Sequence, residues 1–359
     1  MTTAIVKGAP GHYRIGDGIL KELNVLLSEL SVQKVHIVSG RKAWNAASLY
    51  LPEEFDRSNI TFVEGYCTLE AAEQLANVFK ADTVDAVIGI GGGTALDIAK
   101  ASAVKAGIKS VLIPTIAATC AAWTPLSVFY QTDGTHSHYT EFPVANTLVL
   151  IEPAIIAQAP LKYLKAGIGD TLAKYYEADA LVRSFYKEKE LPVWLRISQF
   201  SAKLCRDILL KDGKEALESV SGKRLTDALI RVIETIIITG GMVGGFGEKA
   251  GRIAGAHSIH NGLTEAPGVK QLLHGEIVSY GILVQLALEG NDAELHKLLL
   301  FYVEWELPTS LKDLSINPED IELLQRIIKK TLLPQESIHL MEQEITEEKL
   351  LTAIYNIES

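Results

Sequence analysis

The sequence predicts two domains, an α/β domain over residues 1–159 and an all-helical domain over residues 160–359. In the first part, short segments rich in branched apolar residues alternate with helical patterns, which is typical of βα units around a parallel sheet. After Pro160 these segments disappear and long helical patterns follow. A length of 359 residues is enough for two domains.

Each predicted strand is a short apolar segment bounded by turn residues, and Asp133-Gly134 is a strong signal for a β-hairpin. We expect strands at residues 34–39, 60–64, 84–90, 110–114, 127–131, 136–142 and 147–151, and helices at 18–30 and 69–80. In the second domain we expect helices at residues 172–184, 191–210, 226–241 and 274–288, with breaks at Gly244-Gly245 and Pro267-Gly268.

Composition argues against several classes of function. The formal net charge of −10 disfavours a nucleic-acid partner, because neutralising phosphates needs a basic surface. No apolar run reaches 18 residues and the N-terminus lacks the apolar core of a signal peptide, so we expect no membrane span and a cytoplasmic location. Cys67, Cys120 and Cys205 show no paired spacing, which favours reduced thiols. A small-molecule substrate is compatible with this charge.

A glycine-rich loop follows the predicted strand 84–90 and opens a helix. Gly91, Gly92 and Gly93, with Thr94, leave the backbone N–H groups at the helix start open to an anion, because side chains there would block its approach. We therefore expect a nucleotide phosphate here, although Thr94 stands where the pattern Gly-x-Gly-x-x-Gly requires its third glycine. The alternative is a tight structural turn between strand and helix.

Asp97 and Lys100 lie three residues apart on the helix that follows this loop, so they share one helix face. They either pair with each other or lock the loop in place. Asp97 is therefore a candidate residue of the cofactor site.

A second group of residues has the composition of a metal site. His257 and His260 are one helical turn apart and His274 follows, so three of the nine histidines fall within 18 residues. Imidazole is the commonest side-chain metal ligand near neutral pH. Asp170 is a candidate third ligand, the alternative being that it caps a helix beginning at Thr171 after a glycine turn. Two imidazoles and one carboxylate leave an open coordination position, as a catalytic metal requires.

Taken in order, these motifs resemble those of the iron-containing (group III) alcohol dehydrogenases, over residues 5–355. The segments 166–178 and 256–264 are similar to the glycerol dehydrogenase branch of that family. Segments 114–127, 240–245 and 280–285 are similar to a bacterial 2-oxoacid reductase of the same branch. The resemblance implies a Rossmann-like first domain, a dehydroquinate synthase-like fold overall, an active site in the cleft between the domains, and NAD(P)(H)-dependent oxidoreductase activity.

The resemblance also assigns roles to single residues. Asp170, His257 and His274 would ligate a divalent metal and act in catalysis, and His260 would be a candidate proton relay. Trp123 would face the substrate, the alternative being a core tryptophan. The resemblance implies that Gly93, Thr94, Thr115, Ala118, Thr124, Leu126 and Tyr130 contact the cofactor. With the residues of the glycine loop and of the end of the predicted strand 34–39, the predicted cofactor site also includes Gly40, Arg41, Gly91, Gly92 and Asp97.

Three positions depart from the family pattern. Lys174 stands where the iron enzymes carry a further histidine, which favours Zn²⁺ over Fe²⁺. Cys120, at the substrate position, replaces the aspartate of glycerol dehydrogenases, and a thiol is a weak acceptor for substrate hydroxyls. Gly40, followed by Arg41 and Lys42, replaces the strand-end carboxylate that binds the ribose of NAD, which favours NADP(H). Alternatively, the two cations solvate a helix start.

We therefore expect reduction of 2-oxoacids to 2-hydroxy acids by hydride transfer, with a metal polarising the carbonyl oxygen. The main alternative is a glycerol or polyol dehydrogenase that uses NAD. A sugar-phosphate cyclase would need a basic cluster that the sequence lacks, and a non-enzymatic nucleotide-binding protein would not need the metal-type residues. The resemblance implies a homo-oligomer, a dimer or larger. The candidate cations for a substrate carboxylate are Lys174, Lys249, Arg252 and Lys270.

Overall fold

The computed structural model describes residues 5–187 and 189–358. The chain divides into two compact units, which we call the α/β unit and the helical unit. The α/β unit comprises Lys7–Ala159 and Gly222–Thr226. The helical unit comprises Pro160–Ser221, the chain from Asp227 to the end of the described residues, and the described residues before Lys7.

Eight strands occur in the α/β unit. In chain order they are β1 (His12–Ile15), β2 (Val35–Ser39), β3 (Ile60–Phe62), β4 (Ala86–Gly91), β5 (Lys109–Pro114), β6 (Leu126–Tyr130), β7 (His136–Glu141) and β8 (Leu148–Ile151). Six of them form a parallel sheet in the order β1-β8-β5-β4-β2-β3, and β6 and β7 form an antiparallel hairpin. β4 is buried along its whole length, with Ile88 paired to Ile37 and Val111. Such burial explains why the central strands are continuous apolar segments.

Five α-helices complete the α/β unit. They are α1 (Leu23–Glu29), α2 (Arg41–Ala47), α3 (Leu69–Ala81), α4 (Gly93–Ala106) and α5 (Pro153–Gln158), with a 3-10 turn at Ile19–Glu22. Thr68 caps α3 by accepting a hydrogen bond from the Ala71 N–H at 3.2 Å. α4 ends at Gly107 in the left-handed conformation, with φ +73°, which only glycine adopts without strain.

The predicted strands and the Asp133-Gly134 hairpin are confirmed, with bounds that differ by up to two residues. β1 is absent from the prediction, because three of its four residues are exposed and it has no apolar run. The predicted helix 18–30 is wrong in part, since Ile19–Glu22 is a 3-10 turn and α1 begins only at Leu23.

The helical unit contains nine α-helices within the described residues, and no strand is found there. In chain order they are α6 (Leu161–Tyr186), α7 (Val193–Ser221), α8 (Asp227–Glu234), α9 (Gly240–Gly247), α10 (Gly255–Leu263), α11 (His274–Leu288), α12 (Asp292–Trp305), α13 (Ile321–Thr331) and α14 (Glu347–Glu358). A π-helical turn, Thr235–Thr239, joins α8 to α9, and 3-10 turns occur at Glu248–Gly251, Pro267–Gln271 and Ser337–Leu340. The predicted break at Gly244-Gly245 is wrong, since both glycines lie within α9.

α6 runs without interruption through Gly167 and Gly169, so the predicted glycine turn before a helix beginning at Thr171 is wrong. The alternative that Asp170 caps a helix is wrong for the same reason, because this residue lies in the helix interior. Gly169 on α6 and Gly275 on α11 instead permit a close crossing of the two helices. A Cβ atom on Gly169 would overlap the carbonyl oxygen of Gly275, and a Cβ atom on Gly275 would overlap that of Ala166.

Among the residues that the structure describes, one helical stretch, residues 227–251, is long and apolar enough by length and composition to cross a membrane. It is the exception to the expectation that no such segment exists. Within its most apolar 18-residue window, 56% of the residues are buried inside the protein. A helix that is apolar on all sides is also what the core of a large globular protein contains.

Candidate functional site

Asp170, His257 and His274 converge in the helical unit, with one ligand atom from each within 4.8 Å of the others. Asp170 Oδ1 lies 3.4 Å from His257 Nε2 and 3.5 Å from His274 Nε2. Asp170 and His257 are buried, whereas His274 is exposed. The cluster is therefore buried at Asp170 and His257 and accessible to solvent at His274.

The separations between these donors test whether a metal fits. A tetrahedral metal with bonds of about 2.0–2.2 Å holds its donors about 3.3–3.6 Å apart. The two distances from Asp170 to the imidazoles fall within that range, and two nitrogens with one carboxylate oxygen form a donor set common to Zn²⁺ and Fe²⁺. The residues present therefore fit a divalent metal with a coordination position left over.

Three different helices supply the donors. Asp170 lies in the interior of α6, His257 is the third residue of α10, and His274 is the first residue of α11. The crossing of α6 and α11 at Gly169 and Gly275 lies one residue from a donor on each helix. The predicted loop containing Pro267-Gly268 is confirmed as the connection between α10 and α11.

Glu177, which the sequence did not predict, contacts the His257 ring at Nδ1, whereas Asp170 lies near Nε2. Its Oε2 lies 2.6 Å from His257 Nδ1, and its Oε1 accepts hydrogen bonds from the backbone N–H groups of Ala254 at 2.7 Å and His257 at 2.9 Å. A signal for it exists in the sequence, since residues 170, 174 and 177 share one face of a helix by their i, i+4, i+7 spacing. The predicted helix, 172–184, contains residues 174 and 177 but begins after Asp170, so it does not place the three residues on one face.

Charges around the cluster keep Asp170 ionised. Burial alone would raise the pKa of Asp170, but the Lys174 ammonium and hydrogen bonds from His257 and His274 hold it well below its usual range. Burial likewise disfavours a charged His257, yet the carboxylates of Glu177 and Asp170 raise its pKa to about 9. A metal would displace the proton that these carboxylates stabilise.

His274 is tied to a chain of polar side chains. Its Nδ1 lies 3.0 Å from His260 Nε2, and His260 Nδ1 lies 3.1 Å from Asn261 Oδ1. The Asn261 amide in turn donates to the carboxylate of Glu336 at 3.0 Å. Burial and the neighbouring imidazoles of His274 and His257 lower the pKa of His260 well below its usual range.

The glycine loop in the α/β unit has the shape of an anion site. Gly91 ends β4 with φ +152°, a conformation that side chains rarely adopt. Gly92 precedes α4 and offers no side-chain cap, so the first turn of this 14-residue helix presents its N–H groups. A Cβ atom on Gly93 would meet nothing closer than 4.0 Å, which leaves space above the helix start. Thr94 follows as the second residue of α4.

Asp97 and Lys100 form a buried ion pair, with Nζ 2.8 Å from Oδ1. Asp97 also accepts a hydrogen bond from the Val128 N–H at 3.0 Å. The two residues pair, as one of the sequence alternatives expects, and their other contacts are to residues 121–128. Locking of the glycine loop at 91–93 stays a prediction. The predicted role of Asp97 in the cofactor site stays a prediction. Lys100 Nζ donates to three backbone carbonyls, those of Ala121, Thr124 and Leu126.

The segment 121–126 is thereby held from two sides. Asn146 Nδ2 lies within 3.1–3.3 Å of the carbonyl oxygens of Ala122, Trp123 and Thr124. Two predicted cofactor residues, Thr124 and Leu126, belong to this segment and are half-buried. Of the others, Thr115 is buried with its N–H donating to the Gly91 carbonyl at 3.1 Å, and Ala118 and Tyr130 are half-buried.

Trp123 and Cys120, the predicted substrate residues, differ in environment. Trp123 is only 2% exposed, its Nε1 donates to the Gly8 carbonyl at 2.8 Å, and its ring packs edge-on against Tyr13. These contacts favour the alternative of a core tryptophan. Cys120 is half-buried in the same loop, where its carbonyl accepts from the N–H groups of Trp123 and Thr124.

Gly40 separates β2 from α2, and Arg41 begins that helix. The Arg41 guanidinium lies 4.4 Å from the centre of the Phe62 ring and 4.0 Å from Glu64 Oε1. Arg41 and Lys42 are both exposed. Both predicted alternatives, a 2′-phosphate site and a solvated helix start, are compatible with that exposure.

Among the four candidate cations, Lys174 lies beside the metal donors, with Nζ 3.5 Å from Asp170 Oδ1. Lys249 and Lys270 are exposed, and Arg252 is half-buried.

The chain belongs to the iron-containing alcohol dehydrogenase family, whose sequence profile matches residues 10–153, and it is therefore an oxidoreductase. It is 41% identical over 352 residues to hydroxycarboxylate dehydrogenase A of Escherichia coli K12, which covers 98% of this chain and 96% of that protein. A glycerol dehydrogenase of Pseudomonas putida is 31% identical over 96% of this chain and 95% of its own length. The structure of glycerol dehydrogenase from Schizosaccharomyces pombe matches with a TM-score of 0.88 and 27% identity, over 99% of this chain and 91% of that one.

These similarities confirm the predicted family, fold class and enzyme class. Membership of the family implies an NAD(P) cofactor and a divalent metal. The conversion of a small molecule fits the relatives, which are metabolic dehydrogenases.

Proposed function

We propose that this enzyme reduces 2-oxoacids to 2-hydroxy acids, with NADPH as the hydride donor and Zn²⁺ held by Asp170, His257 and His274. The observation that carries this proposal is the Lys174 ammonium, 3.5 Å from Asp170 Oδ1. A 2-oxoacid has a keto oxygen next to a carboxylate. A metal site with a cation beside it matches both groups, and the relationship to hydroxycarboxylate dehydrogenase A supports the same substrate class.

The reaction consumes one hydride from the nicotinamide and one proton from solvent. When bound, the metal supplies Lewis-acid polarisation of the carbonyl oxygen. The protein itself orients the two reactants. Lys174 binds the substrate carboxylate, and the glycine loop at 91–93 binds the cofactor phosphates, so that the nicotinamide can reach the keto carbon. That the nucleotide of the α/β unit reacts at the donors of the helical unit is part of the proposal, and a ternary complex structure tests it.

His260 is a weaker candidate for the proton relay than the sequence implies. Both of its ring nitrogens are engaged, Nε2 with His274 and Nδ1 with Asn261. A relay role requires one of these hydrogen bonds to break during turnover. It stays a prediction.

The test of the proposed function is a panel of 2-oxoacids, ketones and polyols, assayed with NADPH and NADH alongside metal analysis. We expect the highest kcat/KM for a 2-oxoacid such as 2-oxobutanoate with NADPH. A charge-assisted contact of Arg41 or Lys42 with the 2′-phosphate would favour NADPH by about 10–100-fold, since one such contact contributes about 1.5–3 kcal/mol. Glycerol oxidation with NAD as the best reaction would instead establish the alternative, which the glycerol dehydrogenase relatives favour.

Exchange of Lys174 for methionine tests the substrate carboxylate site. We expect Lys174→Met to raise the KM for 2-oxobutanoate by about 10–100-fold, because a hydrogen bond to a charged group contributes about 1.5–3 kcal/mol. The KM for a neutral ketone of similar size should not change. Lys270→Met, which removes an exposed lysine from the same set of candidates, is the matched control. Equal losses for both substrates in Lys174→Met would contradict the assignment.

Metal identity, assembly and location complete the proposal. Lys174 in place of a fourth protein ligand favours Zn²⁺ over Fe²⁺. We propose a homo-oligomer in the cytoplasm, with small molecules as its partners, no nucleic acid and no membrane. Metal analysis and light scattering of the purified protein test the first two points.

A further inference from the structure

We propose that Glu177 is a positioning residue that selects the metal-binding tautomer of His257. This inference rests on the proposed metal site and adds to it a buried carboxylate that makes no contact with a substrate. Glu177 is fully buried, on the same face of α6 as Asp170 and Lys174. A buried carboxylate is tolerated only where hydrogen bonds satisfy it, so its donors reveal its role.

Glu177 has three donors, and two of them are on His257. Oε2 faces Nδ1 at 2.6 Å, and Oε1 accepts the backbone N–H of His257 at 2.9 Å and that of Ala254 at 2.7 Å. An ionised carboxylate only accepts hydrogen bonds, so Nδ1 must carry the proton. In the neutral imidazole the lone pair is then on Nε2, the atom that lies 3.4 Å from Asp170 Oδ1.

The same carboxylate also fixes the backbone that carries this imidazole. Ala254 is the N-cap of α10 and His257 is its third residue, and no side chain of α10 itself caps this end. Glu177 therefore satisfies two of the N–H groups that a helix start leaves unpaired, and Gln285 satisfies a third, that of Ala256, at 2.9 Å. Ring orientation and backbone position are both set by one side chain.

The experiment compares Glu177→Gln with the wild type in the full-length chain. Glutamine keeps the size and can still accept from the backbone N–H groups, but its amide NH₂ can donate where a carboxylate accepts. That favours the opposite tautomer, with the proton on Nε2. After removal of metal, Zn²⁺ affinity is measured by competition with a chromophoric chelator, and the Co²⁺-loaded protein is examined by visible absorption. We expect Zn²⁺ to bind about 10–100-fold more weakly and the Co²⁺ bands to change, as for other partners of metal-bound histidines.

The matched control is Glu152→Gln. Glu152 is also fully buried and accepts backbone N–H groups, those of Gly18 and Leu20, but it belongs to the α/β unit. The same exchange there removes a buried negative charge without facing an imidazole, so Zn²⁺ affinity should equal that of the wild type. Equal weakening in both variants would mean a general loss of structure and would overturn the proposal.

The outcomes separate this inference from the proposed function. A wild-type chain that binds no stoichiometric Zn²⁺ or Co²⁺ defeats the proposed metal site. If the wild type binds these metals and Glu177→Gln has the same affinity and spectrum as the wild type, only the proposed role of Glu177 is overturned. Should that variant not fold, Glu177→Asp replaces it. Its shorter side chain cannot reach Nδ1 and both N–H groups together, so wild-type affinity in Glu177→Asp would overturn the proposal as well.

Discussion

His257→Ala is expected to abolish metal binding and reduce kcat/KM by about 10³-fold, since a Lewis-acid metal contributes several kcal/mol to the barrier and each 1.36 kcal/mol is tenfold in rate. His257 is one of three donors, and its loss leaves Asp170 and His274 too few to hold a metal firmly. Metal content per chain and steady-state kinetics on the best substrate of the panel measure the two effects.

His296→Ala is the control for the loss of an imidazole. His296 lies exposed on α12, in the same unit, and should retain full metal content and turnover. The far-ultraviolet circular dichroism of both variants should match the wild type, because α10 is held at its N-terminus by Glu177 and Gln285 through backbone N–H groups that alanine keeps. A His257→Ala enzyme with one tightly bound metal and normal kinetics would disprove the site.

Gly275→Ala is expected to lower the free energy of unfolding by about 3 kcal/mol, the upper end of what overpacking a well-packed core costs. The added methyl group would overlap the Ala166 carbonyl oxygen, a backbone atom that cannot rotate away. α6 and α11 must then separate, and with them Asp170 and His274, each one residue from the crossing. We expect weaker metal binding along with the lower stability, measured by urea denaturation and by chelator competition.

Gly244→Ala provides the matched control, because Gly244 is also a glycine within a helix of the same unit. A Cβ atom there would meet Arg252 Cγ at 3.7 Å, an ordinary contact. Alanine favours the helix over glycine by about 1 kcal/mol, so this variant should be as stable as the wild type or more so. If Gly275→Ala behaved like Gly244→Ala, the close crossing of α6 and α11 would not be the feature that brings the donors together.

Much of the fold is predictable from local patterns. The central strands of the sheet are continuous apolar segments because both faces are buried, and β4 leads into the glycine loop as expected. β1 escapes prediction because an exposed edge strand has no such signature. The start of α6 escapes it for a different reason: Gly167 and Gly169 are unfavourable for an isolated helix, and the close packing of α11 against Gly169 is visible only in the folded chain.

The residues of the candidate site are likewise predictable only in part. Residue type and spacing, with the family resemblance, suffice to nominate Asp170, His257 and His274, because few other functions require two imidazoles and a carboxylate in glycine-rich helices. They do not reveal Glu177, whose partner lies 80 residues further along the chain. Nor do they show that Asp97 accepts the Val128 N–H, since a carboxylate has the same appearance in the sequence whichever donor it meets.

Periodicity and motif spacing thus predicted two domains, a nucleotide phosphate loop and a three-donor metal site, and the family resemblance identified a dehydrogenase. Only the folded chain decided which side chains support these sites. Glu177 contacts the His257 ring, Lys174 lies beside Asp170, and Lys100 donates to backbone carbonyls of the segment 121–126. The reason is that local sequence encodes secondary structure and residue chemistry, whereas hydrogen bonds between distant helices depend on how closely their backbones approach. In this protein that approach is set by glycines whose importance appears only when the neighbouring helix is in place.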